Sequence, residues 1–137
     1  QSPIDRPRMR LLVIEDNPDL VANLCDFFEA RGHTVDVAYT APAGLQRAQA
    51  GGHDVIVLDL TLPGMHGYAV LDRLKNDPST RHIPIQIISV IDDLKRVLKL
   101  GAFGHLTKPV SRDVIVQSVI GLKDFAQREV KRLSFLR

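Results

Sequence analysis

Residues 55–71 read VIVLDLTLPGMHGYAVL, and two changes of rhythm within that stretch decide the fold. Val55 to Leu58 is an unbroken apolar run, of a length suited to a strand covered on both faces. From about Tyr68 the pattern turns helical and continues to Asn76, where Asp77-Pro78 marks a stop. Between the two lies a loop containing Pro63 and Gly67, and the strand hands over to it at a carboxylate, Asp59. A buried strand that ends in a charge and leads into a helix is one β/α unit of a parallel sheet.

The same rhythm repeats on both sides. Upstream, Arg10 to Glu15 predicts a first strand through the apolar run Leu11, Leu12, Val13 and Ile14. Asn17-Pro18 opens a helix, with Asn as N-cap, Pro in the first turn, a stripe of Leu20, Val21, Leu24, Phe27 and Phe28, and Gly32 as its end. Thr34 to Ala38 predicts a second strand, and Ala41 to Ala50 a second helix closed by Gly51-Gly52. Downstream, Ile85 to Ile88 predicts strand four, ending at Ser89, and Asp93 to Leu100 a helix stopped by Gly101. His105 to Thr107 is a short fifth strand before Lys108-Pro109. Ser111 caps a last helix with Ile115, Val119, Leu122, Ala126, Val130 and Leu133 along one stripe. Through Leu122 that stripe reads as core, and FAQREVKRL beyond it as a linker helix or a frayed tail.

Five β/α units in succession predict an α/β fold with a doubly wound parallel sheet in flavodoxin-like order 2-1-3-4-5, because right-handed crossovers place helices on both faces. At 137 residues the chain suits one domain, 9–125, with linkers or extensions at 1–8 and at 126–137. No apolar stretch is long enough to span a membrane, and Pro and charge occupy the N-terminus where a signal peptide needs apolar residues. The lone Cys25 excludes an internal disulfide and fits a reducing, cytoplasmic compartment as a small core residue. A first residue of Gln suggests a piece of a larger protein. The net charge of +2 is modest, and its basic clusters lack interleaved aromatics, so direct nucleic-acid binding is not expected.

In such a sheet ligands bind beyond the carboxyl ends of the strands. Strand one ends in Glu15-Asp16, strand three in Asp59, strand four in Ser89, and strand five in Lys108. Three carboxylates in one crevice repel each other, and Mg²⁺ relieves that repulsion while accepting phosphate oxygens. Lys108 adds a second positive charge and Ser89 a hydroxyl donor. The set suits a phosphoryl group in transfer.

LLVIEDNPDL at 11–20, VIVLDLTLPGMHGYAVL at 55–71, IIS at 87–89 and GAFGHLTKPV at 101–110 together resemble response-regulator receiver domains over about residues 9–125. The stretch SVIDDLKRVLKLGA at 89–102 is most similar to receiver modules of hybrid sensor histidine kinases. The resemblance implies that Asp59 takes a phosphoryl group from a phosphohistidine on a histidine kinase or histidine phosphotransfer protein. It implies Mg²⁺ held by Asp16 and Asp59, by Glu15 through water, and by the backbone carbonyl of Thr61. Ser89 and Lys108 would bind phosphoryl oxygens, and Ser89 with His105 would switch the surface of helix four, strand five and helix five. A homodimer through helices four and five is compatible with that surface. The domain would be no conventional enzyme, its chemistry limited to self-phosphotransfer and autodephosphorylation.

Several positions depart from the family pattern. Val90 stands where a small Ala is usual and would crowd the acceptor, His105 replaces the usual Tyr or Phe, and His66 replaces an acid before Gly67. The segment from Ser89 to Gly101 is a few residues short, so a short or displaced fourth helix is expected. Thr61 and Ile91 offer no carboxylate or amide to orient water, which implies slow self-dephosphorylation. Val90 and the short segment leave a degenerate receiver, an interaction module that takes no phosphate, as the alternative. A flavin site needs a Ser/Thr/Gly-rich phosphate loop where EDNPD stands, an Asp-nucleophile phosphatase an acid where Thr61 stands, and a Walker site a motif the chain lacks. His33, His53 and His82 show no metal-ligand spacing and are expected at the surface, while Leu62 and Met65 are expected to pack.

Overall fold

The computed structural model describes residues 8–62 and 65–122 of the chain. Five strands and five helices alternate: β1 (Arg10–Ile14), α1 (Pro18–Glu29), β2 (Thr34–Ala38), α2 (Ala41–Ala50), β3 (Val55–Asp59), α3 (Gly67–Asn76), β4 (Ile85–Ser89), α4 (Leu94–Lys99), β5 (Gly104–Thr107), and α5, helical over 112–122 of the described residues. The sheet is parallel throughout, in the order β2-β1-β3-β4-β5. Pro63 and the expected C-terminal extension at 126–137 lie outside the described residues.

The unbroken apolar runs are central strands for the reason their composition suggests. β3 and β4 are buried at every position, whereas β2 and β5, at the two edges, are only partly covered. Alternate residues feed two cores. On one face Leu12, Ile14, Ile56, Leu58, Ile85 and Ile87 meet the helices α2, α3 and α4 through Leu45, Ala48, Val70, Leu71, Leu74 and Val97. On the other, Leu11, Val13, Val55, Val57 and Ile88 meet α1 and α5 through Val21, Leu24, Phe28, Ile115, Val119 and Leu122. Each such Val, Leu, Ile or Phe side chain taken from water contributes roughly 1.5–3 kcal/mol, so covering both faces is the main driving force for this architecture.

The helix starts are set locally. Asn17 caps α1 by accepting from the amides of Asp19 and Leu20, and Thr40 caps α2 by accepting from Ala43. Gly67 opens α3 so close to the end of β3 that a methyl group in its place would collide with the backbone of Leu60. α4 is short, as expected, with Val97 its one buried residue. Leu62 is buried and Met65 packs partly against the core, again as expected.

The histidines divide. His82 is exposed, but His33 is half-buried and accepts a hydrogen bond from the Met9 amide at 2.9 Å. His53 corrects the expectation outright: its side chain is 1% exposed, with Nε2 2.7 Å from Asp36 Oδ2. That carboxylate supplies the polar partner a buried imidazole requires, and Arg10 binds the same oxygen through Nε and Nη2 at 3.2 and 2.9 Å. Cys25 is half-buried against the α1/α5 core, where burial raises its thiol above the ordinary value.

Candidate functional site

Strand register determines which side chains meet at the carboxyl edge of the sheet. Ile14 pairs with Leu58, so the next residues, Glu15 and Asp59, leave the sheet side by side. Asp59 also pairs with Ile88, and Ser89 with Thr107, which brings Lys108 to the same edge. The Lys108 amide donates to the Ser89 carbonyl at 2.7 Å and holds the end of β5 there.

Lys108 joins the two buried acids. Its Nζ lies 2.8 Å from Glu15 Oε1 and 3.0 Å from Asp59 Oδ2, and those carboxylates are 0% and 1% exposed. Uncompensated charges so deep would be costly, and the bridge is what permits them. The loop after β1 folds back on Glu15, whose Oε2 accepts from the amides of Asp16 and Asn17 at 2.8 and 3.0 Å. Asp59 Oδ1 accepts from both the amide and the hydroxyl of Thr61, each at 2.9 Å. This is an Asx-type turn, which an Asp two residues before a Thr can form in a loop.

These contacts set the protonation states. Burial raises the Asp59 carboxyl, but the Thr61 amide and hydroxyl and the Lys108 ammonium outweigh it and hold Asp59 below its ordinary value. Burial dominates for Glu15 and holds it above its ordinary value despite Lys108 and the Asn17 amide. For Lys108, burial is outweighed by its two acidic partners, so its ammonium is held more tightly than usual. Asp59 is therefore a buried carboxylate held in its ionised form beside a fixed cation.

Glu15, Asp16 and Asp59 each place a carboxylate oxygen within 4.8 Å of the others. Asp16 is exposed and the other two are buried, so the cluster opens towards solvent at Asp16. Hard, anionic oxygen donors at this spacing fit a Mg²⁺ ion, which takes one or two carboxylates and completes its octahedron with water or phosphate oxygens.

The remaining expected residues are placed differently. Ser89 is fully buried at the end of β4, and its hydroxyl accepts from the Ile91 amide at 3.0 Å rather than meeting Asp59 or the Lys108 ammonium. His105 is half-buried in β5, beside Ile87 of β4, and its Nε2 is buried without a partner among the described residues. Val90 is 62% exposed. With Asn17, Leu20, Lys108, Pro109 and Val110 it lines a groove of about 420 Å³. The part sequence reasoning missed is the Thr61 side chain, for which Asp59-Leu60-Thr61 was the available signal.

The chain has relatives in both sequence and fold. The sequence pattern described as the response regulator receiver domain matches residues 11–120. The response regulator PleD of Caulobacter vibrioides is 36% identical over 119 residues, which cover 85% of this chain and 26% of that protein, so the chain spans about a quarter of that relative's length. A CheY-like receiver domain protein from Methanospirillum hungatei superimposes with a TM-score of 0.81 at 21% identity, over 90% of this chain and 99% of that one, a likeness of fold. The receiver domain of a signal transduction histidine kinase from Syntrophus aciditrophicus gives 0.76 at 27% identity, over 88% and 93%. With the matching pattern running from β1 into α5 and the acids and Lys108 gathered at one sheet edge, this chain belongs to the response regulator receiver domain family.

Proposed function

We propose that Asp59 is the phosphoacceptor, taking a phosphoryl group from a phosphohistidine on a histidine kinase or histidine phosphotransfer protein. The observation that carries this is the Lys108 bridge: one ammonium holds an ionised, 1%-exposed Asp59 in place at 3.0 Å, with Glu15 on its other side. A lone pair of Asp59 attacks phosphorus, the phosphorus–nitrogen bond breaks, and the donor ring, its other nitrogen carrying a proton, leaves with the bonding pair as neutral imidazole. The product is an acyl phosphate, which water later cleaves to restore the carboxylate.

The chain's own residues supply position and charge. Oxygen donors of Glu15, Asp16, Asp59 and the Thr61 backbone carbonyl would hold Mg²⁺, which when bound neutralises phosphoryl charge. Lys108 is close enough to Asp59 to pair with a phosphoryl oxygen there. Ser89 accepts from Ile91 and so keeps its own proton to donate. The groove between Asn17 and Val110 gives the donor imidazole an approach to the Lys108 side of the site, with Val90 on its wall. Ser89 and His105, on paired strands, would then shift the α4, β5 and α5 surface, through which a second copy can bind. Residues 9–125 act as the receiver unit, with 1–8 and 126–137 as linkers or extensions. They work in the cytoplasm as part of a two-component pathway, and the stretch at 89–102 suggests a hybrid sensor histidine kinase as the parent protein.

The test is incubation with Mg²⁺ and acetyl phosphate followed by intact-mass measurement, with Asp59→Asn in parallel. One added phosphoryl group in the parent and none in the variant is the expected result. Mg²⁺ uptake without phosphorylation by either the small donor or a phosphohistidine protein would refute it in favour of an interaction module.

A further inference from the structure

A carboxylate offers about four lone-pair directions, two on each oxygen, and three of those on Asp59 are in use. Oδ1 accepts from the Thr61 amide and from the Thr61 hydroxyl, which fills it. Oδ2 takes the Lys108 ammonium and keeps one direction open. A divalent cation on that open direction would sit beside the Lys108 ammonium and be repelled by it, so Oδ1 is the oxygen left for the cation and the open direction of Oδ2 is left for phosphorus. One of the three contacts must therefore yield.

The three are not equally free to do so. The Thr61 amide is fixed by the turn that leaves β3. Lys108 also neutralises the fully buried Glu15 at 2.8 Å, and its withdrawal would strand a charge. The Thr61 hydroxyl sits at the end of a single rotatable bond on an exposed residue, where it can donate to water instead. Exchanging that one hydrogen bond for one to water leaves no buried group unpaired on the Thr61 side.

We propose that the Thr61 hydroxyl is a positioning group that sets the cation affinity of Asp59: it closes Oδ1 and must rotate off that oxygen before a divalent cation can share the carboxylate. The inference rests on the reading of Asp59 as a phosphoacceptor beside Mg²⁺. It assigns to the Thr61 side chain a role opposed to that of its backbone carbonyl, which would hold the same ion. If the hydroxyl served only to close the turn, its removal would lower stability and leave metal affinity alone.

The experiment is a calorimetric titration with Mg²⁺ alone of the parent chain, Thr61→Val, Thr61→Ser and Asp59→Asn, each checked for folding by thermal melting. Valine keeps the shape and loses the hydroxyl, and should bind Mg²⁺ about five- to tenfold more tightly. Serine keeps the hydroxyl and should stay within about twofold of the parent. A Thr61→Val chain that binds like the parent or more weakly overturns the proposal, as does a serine variant that tightens as valine does. Those outcomes leave the phosphoacceptor reading standing if the parent binds Mg²⁺ and Asp59→Asn does not. A parent that takes up no Mg²⁺ removes both.

Discussion

The hydroxyl of Tyr68, in the first turn of α3, donates to the carboxylate of Asp93, the residue that precedes α4. Asp93 is of a type that usually caps a helix with its own side chain, yet it makes no such bond here. Its oxygen is directed across to the neighbouring helix instead. Arg96, one turn into α4, lies 3.8 Å from the centroid of the same tyrosine ring, and His66 stacks on that ring at 5.3 Å. The carboxylate acceptor, followed by burial and the Asp93 charge, raises the Tyr68 hydroxyl above its ordinary value. A helix with one buried residue is thus attached at its start to the first turn of α3.

Tyr68→Phe removes the hydroxyl and keeps the ring. The expected loss of global stability is about 0.5–1.5 kcal/mol, as for one hydrogen bond. The larger effect should be local, because α4 has little other anchorage: amide exchange over 94–99 should accelerate more than in β3 or β4. Uniform acceleration across the chain would mean that α4 opens only when the whole fold does.

Asp36 provides a pH prediction. Burial pushes its carboxyl up, but His53 and Arg10 outweigh burial and hold it below its ordinary value. A carboxyl depressed by folding stabilises the chain above its unfolded value, about pH 4, and that contribution disappears as pH falls through the lower folded value. Asp36→Asn should therefore lose stability near neutral pH and flatten the acid limb of a melting curve taken from about pH 6 to about pH 3. The midpoints of parent and variant should converge as the acid is reached. Parallel limbs would show that Asp36 does not titrate with folding.

The same residues show what the sequence could and could not reveal. Asp59, Glu15, Asp16, Lys108 and Ser89 were legible because each stands where a strand pattern stops, and a parallel sheet gathers such ends. β2 and α2 were legible to the residue, since turn and capping residues bound them on both sides. The burial of His53 was not legible, because its partner Asp36 lies 17 residues away on an edge strand. Nor was the Tyr68–Asp93 pair, 25 residues apart. Periodicity reports which face of an element is covered, and says nothing of which two side chains meet across it. The fourth helix runs one residue shorter at each end than the pattern predicts, since Asp93 and Leu100 are the residues that flank it in the cap positions.

Gln86 is the polar residue in a strand otherwise apolar up to Ser89, and it is 2% exposed. Its Oε1 accepts from Ser118 of α5 at 2.6 Å and its Nε2 donates to the Ile87 carbonyl at 3.2 Å. Gly104, its partner in β5, leaves room for it, since a Cβ there would stand 3.2 Å from the same oxygen. The bond ties β4, which carries Ser89 three residues on, to α5. Ser118→Ala should cost about 1–2 kcal/mol in urea denaturation, because it leaves a buried amide oxygen unpaired. Gln86→Leu combined with Ser118→Ala removes both partners at similar volume and should recover most of that loss. The two substitutions would then couple by about 1 kcal/mol, against near-additivity for residues that do not touch. Additive losses would mean that the Ser118 contact contributes nothing beyond the packing around it.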